Sequence, residues 1–217
     1  MLIKGSAGLY IMDRYLRQRD LLDQEKLGNA RVLVTGAGGL GNFVATELVL
    51  AGVGAVDIVD PDVVEVHNLN RQFIFRESDL GAPKAEVLAG RLREMNPHVR
   101  IRGIVGSWRD VDVNDYDLVF DCMDAWSEKK ALMTARKGTL VFGSVGNGIG
   151  MVSVLRHKRL DIPNVAHATN VTAAHVGIVA SIMALEGMRE LNGVPSPFRD
   201  RLLHVDMNNL YVTVLDL

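Results

Sequence analysis

The chain has 217 residues, of which 48% are hydrophobic, and a formal net charge of −2. That is enough apolar material for one sizeable core, and it gives no electrostatic reason to expect nucleic acid as a partner. A single cysteine, Cys122, excludes an internal disulfide framework and a cysteine-rich zinc site, so zinc is not expected.

The first twenty residues carry Lys4, Asp13, Arg14, Arg17, Arg19 and Asp20, so they do not read as a signal peptide. Leu9 to Leu27 has a loose apolar stripe at helical spacing (Leu9, Met12, Leu16, then Leu21 and Leu22) with the arginines facing outward. It reads as an N-terminal helical segment, residues 9–28, on a single domain spanning 1–217. Val32-Leu33-Val34-Thr35 is a short apolar run that feeds into Gly36-Ala37-Gly38-Gly39-Leu40-Gly41, and a helical pattern follows to about Leu50. Strand, glycine turn and helix in that order make a nucleotide phosphate site. Gly36 permits the turn, Gly38 lets the backbone approach the ligand, and Gly41 lets helix pack on strand. The helix N-terminus then attracts the anion. Ala55 to Asp60 is a second strand, and Asp60 at its end is placed to accept the hydroxyls of a ribose.

Pro61 to Phe73 is too polar for an ordinary crossover helix. It sets Asp62, Asn68, Asn70, Arg71 and Gln72 behind the ribose-binding strand end, so it reads either as a surface loop or as a second set of ligand contacts. Gly81-Ala82-Pro83-Lys84 opens a helix to about Met95. Lys84, taken as an exposed residue, stands where the helix dipole disfavours a cation unless an anion is close. Val99 to Val105 is a strand. Asp117 to Asp124 is a buried parallel strand with carboxylates at the end where ligands collect in open α/β sheets. A helix over Trp126 to Arg136 and a strand over Thr139 to Ser144 follow. The strand Met151 to Leu155 lies so close behind that the second half must turn antiparallel. Thr172 to Leu191 is a helix apolar on nearly every side, buried in the sheet packing or against a second copy. Two strands, Leu202 to Val205 and Leu210 to Leu215, end the chain. The most apolar stretch, Val171 to Leu185, contains His175 and Ser181 and is too short to span a bilayer, so a soluble cytoplasmic protein with no membrane partner is expected. His157, His167, His175 and His204 read as structural or surface residues.

Five elements in this order, Gly36 to Gly41, Asp60-Pro61-Asp62, Asn68-Leu69-Asn70-Arg71-Gln72, Gly81 to Lys84 and Asp121-Cys122-Met123-Asp124, resemble the E1-like activating superfamily. That group includes the ubiquitin-activating enzymes and the MoeB and ThiF adenylating proteins. The resemblance implies a Rossmann-like E1/ThiF α/β fold, with a mixed sheet, parallel in its N-terminal half and antiparallel in its C-terminal half, and helices on both faces. It implies ATP and Mg2+. Gly36, Gly38, Gly39 and Gly41 would line the phosphates and Asp60 would bind the ribose. Asn68, Arg71 and Lys84 would contact the triphosphate with Gln72 close by, and Asp124 would hold magnesium with Asp62 nearby. Arg14-Tyr15-Leu16-Arg17-Gln18 is similar to an element whose second arginine reaches the triphosphate of the neighbouring subunit, which makes Arg17 a catalytic residue acting in trans in a homodimer.

The chain lacks the paired zinc cysteines and the cysteine nucleophile of many sulfur-carrier activators, and Cys122 sits within a core strand. The chemistry is therefore expected to stop at the acyl-adenylate, with a downstream acceptor protein or other nucleophile taking the acyl group. The stripped second half is similar to a small stand-alone member of the superfamily that acts in assembly of the iron-guanylylpyridinol cofactor of mono-iron hydrogenase. That points to a small-molecule carboxylate. The alternative is the C-terminal glycine of a ubiquitin-like sulfur carrier. An NAD-dependent oxidoreductase would explain the glycines and Asp60 but leaves Asn68, Arg71, Lys84 and Asp124 idle.

Overall fold

A computed structural model describes residues 13–160 and 170–217. Eight strands form one sheet in the order β3-β2-β1-β4-β5-β6-β7-β8. The strands are β1 (Arg31–Thr35), β2 (Ala55–Asp60), β3 (Arg100–Val105), β4 (Leu118–Asp121), β5 (Leu140–Gly146), β6 (Ile149–Leu155), β7 (Arg201–Asp206) and β8 (Tyr211–Asp216). The first five run parallel, and β5 to β8 pair antiparallel. The change of direction is made by a two-residue turn, Asn147-Gly148, with positive φ at both positions (52° and 76°). That is the backbone such a tight hairpin demands, and Asn-Gly supplies it.

Helices cover both faces, so the central strands are continuous apolar runs. On one face α2 (Gly39–Ala51), α3 (Lys84–Met95) and α5 (Ala173–Leu191) bury Val44, Leu48, Leu88, Leu92, Val179 and Met183 against Val32, Val34, Val56 and Phe120. On the other, α4 (Trp126–Ala135) brings Leu132 and Met133 onto Leu33, Val119 and Phe142, with Trp108 and Tyr116 closing the layer. The mixed sheet with helices on both faces is the fold expected from the sequence. No helix among the described residues is long and apolar enough to cross a membrane.

The N-terminal segment departs from the expected continuous helix. Residues 15–22 form turns, and a separate short helix, α1 (Gln24–Asn29), starts at Asp23, whose side chain accepts from the Glu25 and Lys26 amides. The turns form because the segment's side chains bond to distant parts of the chain. Tyr15 is buried against Gly52 and its hydroxyl accepts from Asn96 Nδ2 at 2.9 Å. Gln18 Nε2 donates to the Ala51 carbonyl at 2.7 Å, and Arg14 donates to the Met95 carbonyl at 3.2 Å. These anchors are the C-terminal ends of α2 and α3. Arg17, on the same segment, is exposed.

Along α5, Val176, Val179, Ala180, Met183, Ala184 and Gly187 are buried, while Ile178 and Leu185 are about half exposed. This outward stripe continues the outward residues of α2, where Leu50 is exposed and Glu47 accepts from Ser181 Oγ at 2.6 Å. Phe73, 47% exposed, packs its ring on Phe43 of α2 at 4.5 Å.

Candidate active site

Strand order reverses direction from β1, since β2 lies on one side of it and β4 on the other. The crevice beyond the carboxyl ends of β1 and β4 is where ligands bind in such sheets. The glycine turn fills one side of it. Gly36 has φ +93°, and a Cβ there would stand 2.9 Å from the Cys122 carbonyl oxygen. Its N–H donates to the Val59 carbonyl at 2.8 Å. Gly41 approaches more closely still, with a Cβ falling 1.9 Å from the Gly36 carbonyl oxygen. Asn42 is fully buried and its amide donates to the Ala37 and Gly38 carbonyls at 2.8 and 3.0 Å, while its oxygen accepts from Ile74 N–H. The sequence reading passed over Asn42, although a polar residue on the buried side of α2 is the kind of signal that marks a turn-fixing side chain.

Asp60 ends β2 directly beneath the turn. Its Oδ2 accepts from Ala37 N–H at 2.6 Å and its Oδ1 from Asp62 N–H at 2.7 Å. Burial raises its pKa, and those two amides and the nearby Lys84 ammonium work against the rise. Each carboxylate oxygen keeps a second lone pair for a hydroxyl donor. Asp60 therefore braces the glycine turn and keeps acceptor capacity beside it.

Lys84 corrects the sequence reading. It is buried, not exposed, and its ammonium lies 2.9 Å from Asp62 Oδ2 at the first turn of α3. Its N–H donates to the Asp62 carbonyl, and Val64 and Gly81 pair in the same short bridge. Asp62 is thus the anion that offsets the dipole penalty, and its own side chain is 65% exposed.

The polar run after β2 folds as a loop around a single 3-10 turn, Val66–Asn68. Asn68 is buried, and its Oδ1 accepts from Glu65 N–H at 3.0 Å, so any phosphate contact falls to its Nδ2. Arg71 is half-buried. It donates to the His67 carbonyl and Asn70 Oδ1, and its Cγ lies 3.8 Å from where a Cβ on Gly39 would be. Gln72 is buried beside Gly38, and its Oε1 has no hydrogen-bond partner among the described residues. An orphaned buried oxygen next to a glycine cradle is an acceptor waiting for a donor.

The β4 end supplies the other side. Cys122 N–H donates to the Thr35 carbonyl at 2.9 Å, which locks β4 to the glycine turn. The Cys122 thiol is buried, and burial and the Asp121 carboxylate push its pKa far up, the environment of a core cysteine and the opposite of what activates a thiolate. Asp124 is exposed just before α4. No cluster of three metal-binding side chains stands among the described residues. A lone carboxylate oxygen donor beside a phosphate cradle suits a magnesium ion that takes its remaining ligands from phosphates and water.

Arg17 does not join this set within one chain. Its neighbours Tyr15 and Gln18 hold its segment at the far end of α2, whose 13 residues span about 20 Å. His175 caps α5 with Thr172, and His167 lies outside the described residues. Two grooves at the opposite end of the sheet involve Arg199 with Glu190 and Lys26 with Asp23, already paired with each other.

Residues 12–217 match the model of the ThiF family. Over 90% of the chain, 35% of residues are identical to the sulfur carrier protein adenylyltransferase of Thermus thermophilus, of which 83% is covered. The molybdopterin-synthase adenylyltransferase of Escherichia coli is 30% identical over 88% of the chain and 84% of its own length. Among solved structures, E. coli MccB with AMPCPP and MccA superposes with a TM-score of 0.80 over 94% of this chain and 71% of that one, at 20% identity, a likeness of fold.

Proposed function

This chain belongs to the ThiF family and is an E1-like adenylyltransferase, and from that premise we propose that it joins a carboxylate to AMP in the crevice between β1 and β4, consuming magnesium-ATP and releasing pyrophosphate. The observation that carries the reading is the glycine turn clamped between Asp60 and the β4 end, with Arg71, Gln72 and Lys84 around it. The substrate carboxylate is already ionised near neutral pH, so no general base is needed. Its oxygen attacks the α-phosphorus. The bond from the α-phosphorus to the bridging oxygen breaks, and that oxygen leaves on pyrophosphate with the electron pair. The difficulty is electrostatic, because two anions must meet and more negative charge gathers on the leaving group. Arg71 and Lys84 meet that charge from the glycine-turn side, the second by turning its ammonium from Asp62 to a phosphate oxygen. Asp124 would hold magnesium, which when bound neutralises phosphate charge.

Arg17 completes the set from a second copy. The outward face of α2 and α5, with Leu50, Ile178 and Leu185, is apolar, and a self-complementary two-fold contact is the common remedy for such a face. Both helices run from the glycine turn to the end that holds the Arg17 segment, since Val176 near the start of α5 lies 3.2 Å from where a Cβ on Gly39 would be and Asn192 just past its end accepts from Asp23 N–H. An antiparallel two-fold over this face sets each Arg17 against the partner's glycine turn.

Two carboxylates fit. The names of the 35% and 30% identical relatives favour the C-terminus of a sulfur carrier. The lone buried cysteine, which leaves no internal thioester step, favours the small-molecule acid expected from the sequence, such as guanylylpyridinol, the substrate of HcgE. Pyrophosphate–ATP exchange screened against carrier-protein tails and small acids separates them. No exchange with any acid, together with tight NAD binding, would overturn adenylation itself.

Two further results are expected. Cys122→Ser should leave exchange close to wild type, and mass spectrometry that finds a substrate thioester on Cys122 would contradict this. Lys84→Ala should lower exchange by roughly 10- to 150-fold, the equivalent of about 1.5–3 kcal/mol for a charged hydrogen bond. Its melting temperature should fall only a few degrees, because Asp62 is open to water and resolvates. A variant that melts far earlier yet keeps its specific activity would make Lys84 structural.

A further inference from the structure

The carboxyl end of β4 holds an ion pair that the adenylation site does not use. Asp121 and Lys129 are enclosed almost completely, with side chains 0% and 1% exposed. Lys129 Nζ donates to Asp121 Oδ1 at 3.1 Å and to the Gly143 carbonyl of β5 at 2.7 Å, and it lies 4.9 Å from the centre of the Phe142 ring. Asp121 Oδ1 also accepts from Met123 N–H at 3.2 Å, while Oδ2 has no partner among the described residues. One lysine of α4 therefore ties the end of β4 to the middle of β5. The same carboxylate holds the bend that leads, three residues on, to Asp124.

Two charges at this depth are an inefficient way to gain stability. Exchanging a buried ion pair for apolar groups of similar volume is often neutral or stabilising. What apolar groups cannot do is hold the Met123 amide and the Gly143 carbonyl at once, and those two bonds set where the chain leaves β4. The opposite side of this exit is pinned by the Cys122 amide on Thr35 and by Gly36 against the Cys122 carbonyl.

We infer that Asp121 and Lys129 are positioning residues, which fix the exit of β4 between β5 and the glycine turn so that Asp124 meets the metal of the metal–nucleotide complex. This rests on the reading of Asp124 as the metal-holding carboxylate. Outer groups that orient a ligand carboxylate commonly govern metal affinity by about 10- to 100-fold.

The test is calorimetry of ATP binding with and without magnesium, on wild type, Asp124→Ala, Lys129→Met, Asp121→Ala and the double Asp121→Leu/Lys129→Met. The double variant leaves neither charge buried alone, so it is the one best able to fold; any of the three that folds decides the matter. The expected result is that the gain in ATP affinity on adding magnesium shrinks by about tenfold in the folded variants, as for an outer-shell partner. Metal-free ATP binding, carried by the glycine turn and Arg71, should stay unchanged. A folded variant that keeps the full magnesium gain overturns the inference and makes the pair structural. Asp124→Ala with the full gain removes the reading of Asp124 as a metal residue, and the inference with it, while ATP-dependent exchange in wild type would still stand.

Discussion

Mixing inactive Arg17→Ala with inactive Asp124→Ala should restore about a quarter of the wild-type activity per site once subunits have exchanged at random in a two-fold dimer. Half of the dimers are then heterodimers. If Arg17 acts across the interface, each heterodimer has one site carrying both lesions and one carrying neither. The geometry favours the trans role. Tyr15 and Gln18 pin the segment to Asn96 and Ala51, a whole helix away from the glycine turn at the other end of α2. An arginine side chain does not bridge a gap of about 20 Å. Each parent alone should be nearly inactive, because either a cation or the metal-holding carboxylate is missing where charge gathers on the leaving pyrophosphate. The assay needs proof of exchange by mass or label. Proven exchange with no recovery would remove Arg17 from the site.

The second large effect separates two glycines of one turn. Gly41→Ala drives a Cβ to 1.9 Å from the Gly36 carbonyl oxygen, a backbone atom that cannot swing away. Overpacking of this kind costs about 1–3 kcal/mol, which for a domain of this size lowers the melting temperature by roughly 2–12 °C. The displaced turn should also bind ATP poorly. Gly38→Ala meets only Gln72 Nε2, at 3.7 Å, and its φ of −77° suits alanine. That variant should melt like wild type and yet lose ATP affinity at least about tenfold, because the methyl group occupies the path by which the phosphates reach the backbone N–H groups. Thermal melts and calorimetry on the pair check this. Equal ATP affinity in Gly38→Ala and wild type would move the nucleotide off this turn.

Much of this was legible in the residues because the demands are local. A strand running into glycines, a carboxylate at the end of the next strand and two apolar runs only a few residues apart each call for one backbone form, and β1, β2 and the β5–β6 hairpin follow. The N-terminal segment was misread because its helical stripe competes with bonds to Ala51, Met95 and Asn96, more than thirty residues away. Periodicity carries no trace of such partners. Lys84 looked exposed for the same reason, as Asp62 reaches it from another loop. Asp121 stands in the sequence element that ends at Asp124, but its partner Lys129 is not named there, although one sign of it is present. Lys129 shares the buried face of α4 with Leu132 and Met133, and a charge on an apolar face asks for a buried counter-charge.

The change of strand direction at β5 also bears on how the chain reaches this state. β5 with β6, and β7 with β8, close through a few residues each, so these hairpins can form within microseconds from neighbours in the chain. β1 must wait for β4, whose partner residues lie more than eighty positions away, and that long loop has to be closed before any contact repays it. These two hairpins are the local part of the meander, whereas β6 and β7 meet only across the stretch that carries α5. The nucleotide crevice, made where β1 meets β4, is assembled late, so a chain that stalls on its way will have its hairpins before it has any place for ATP.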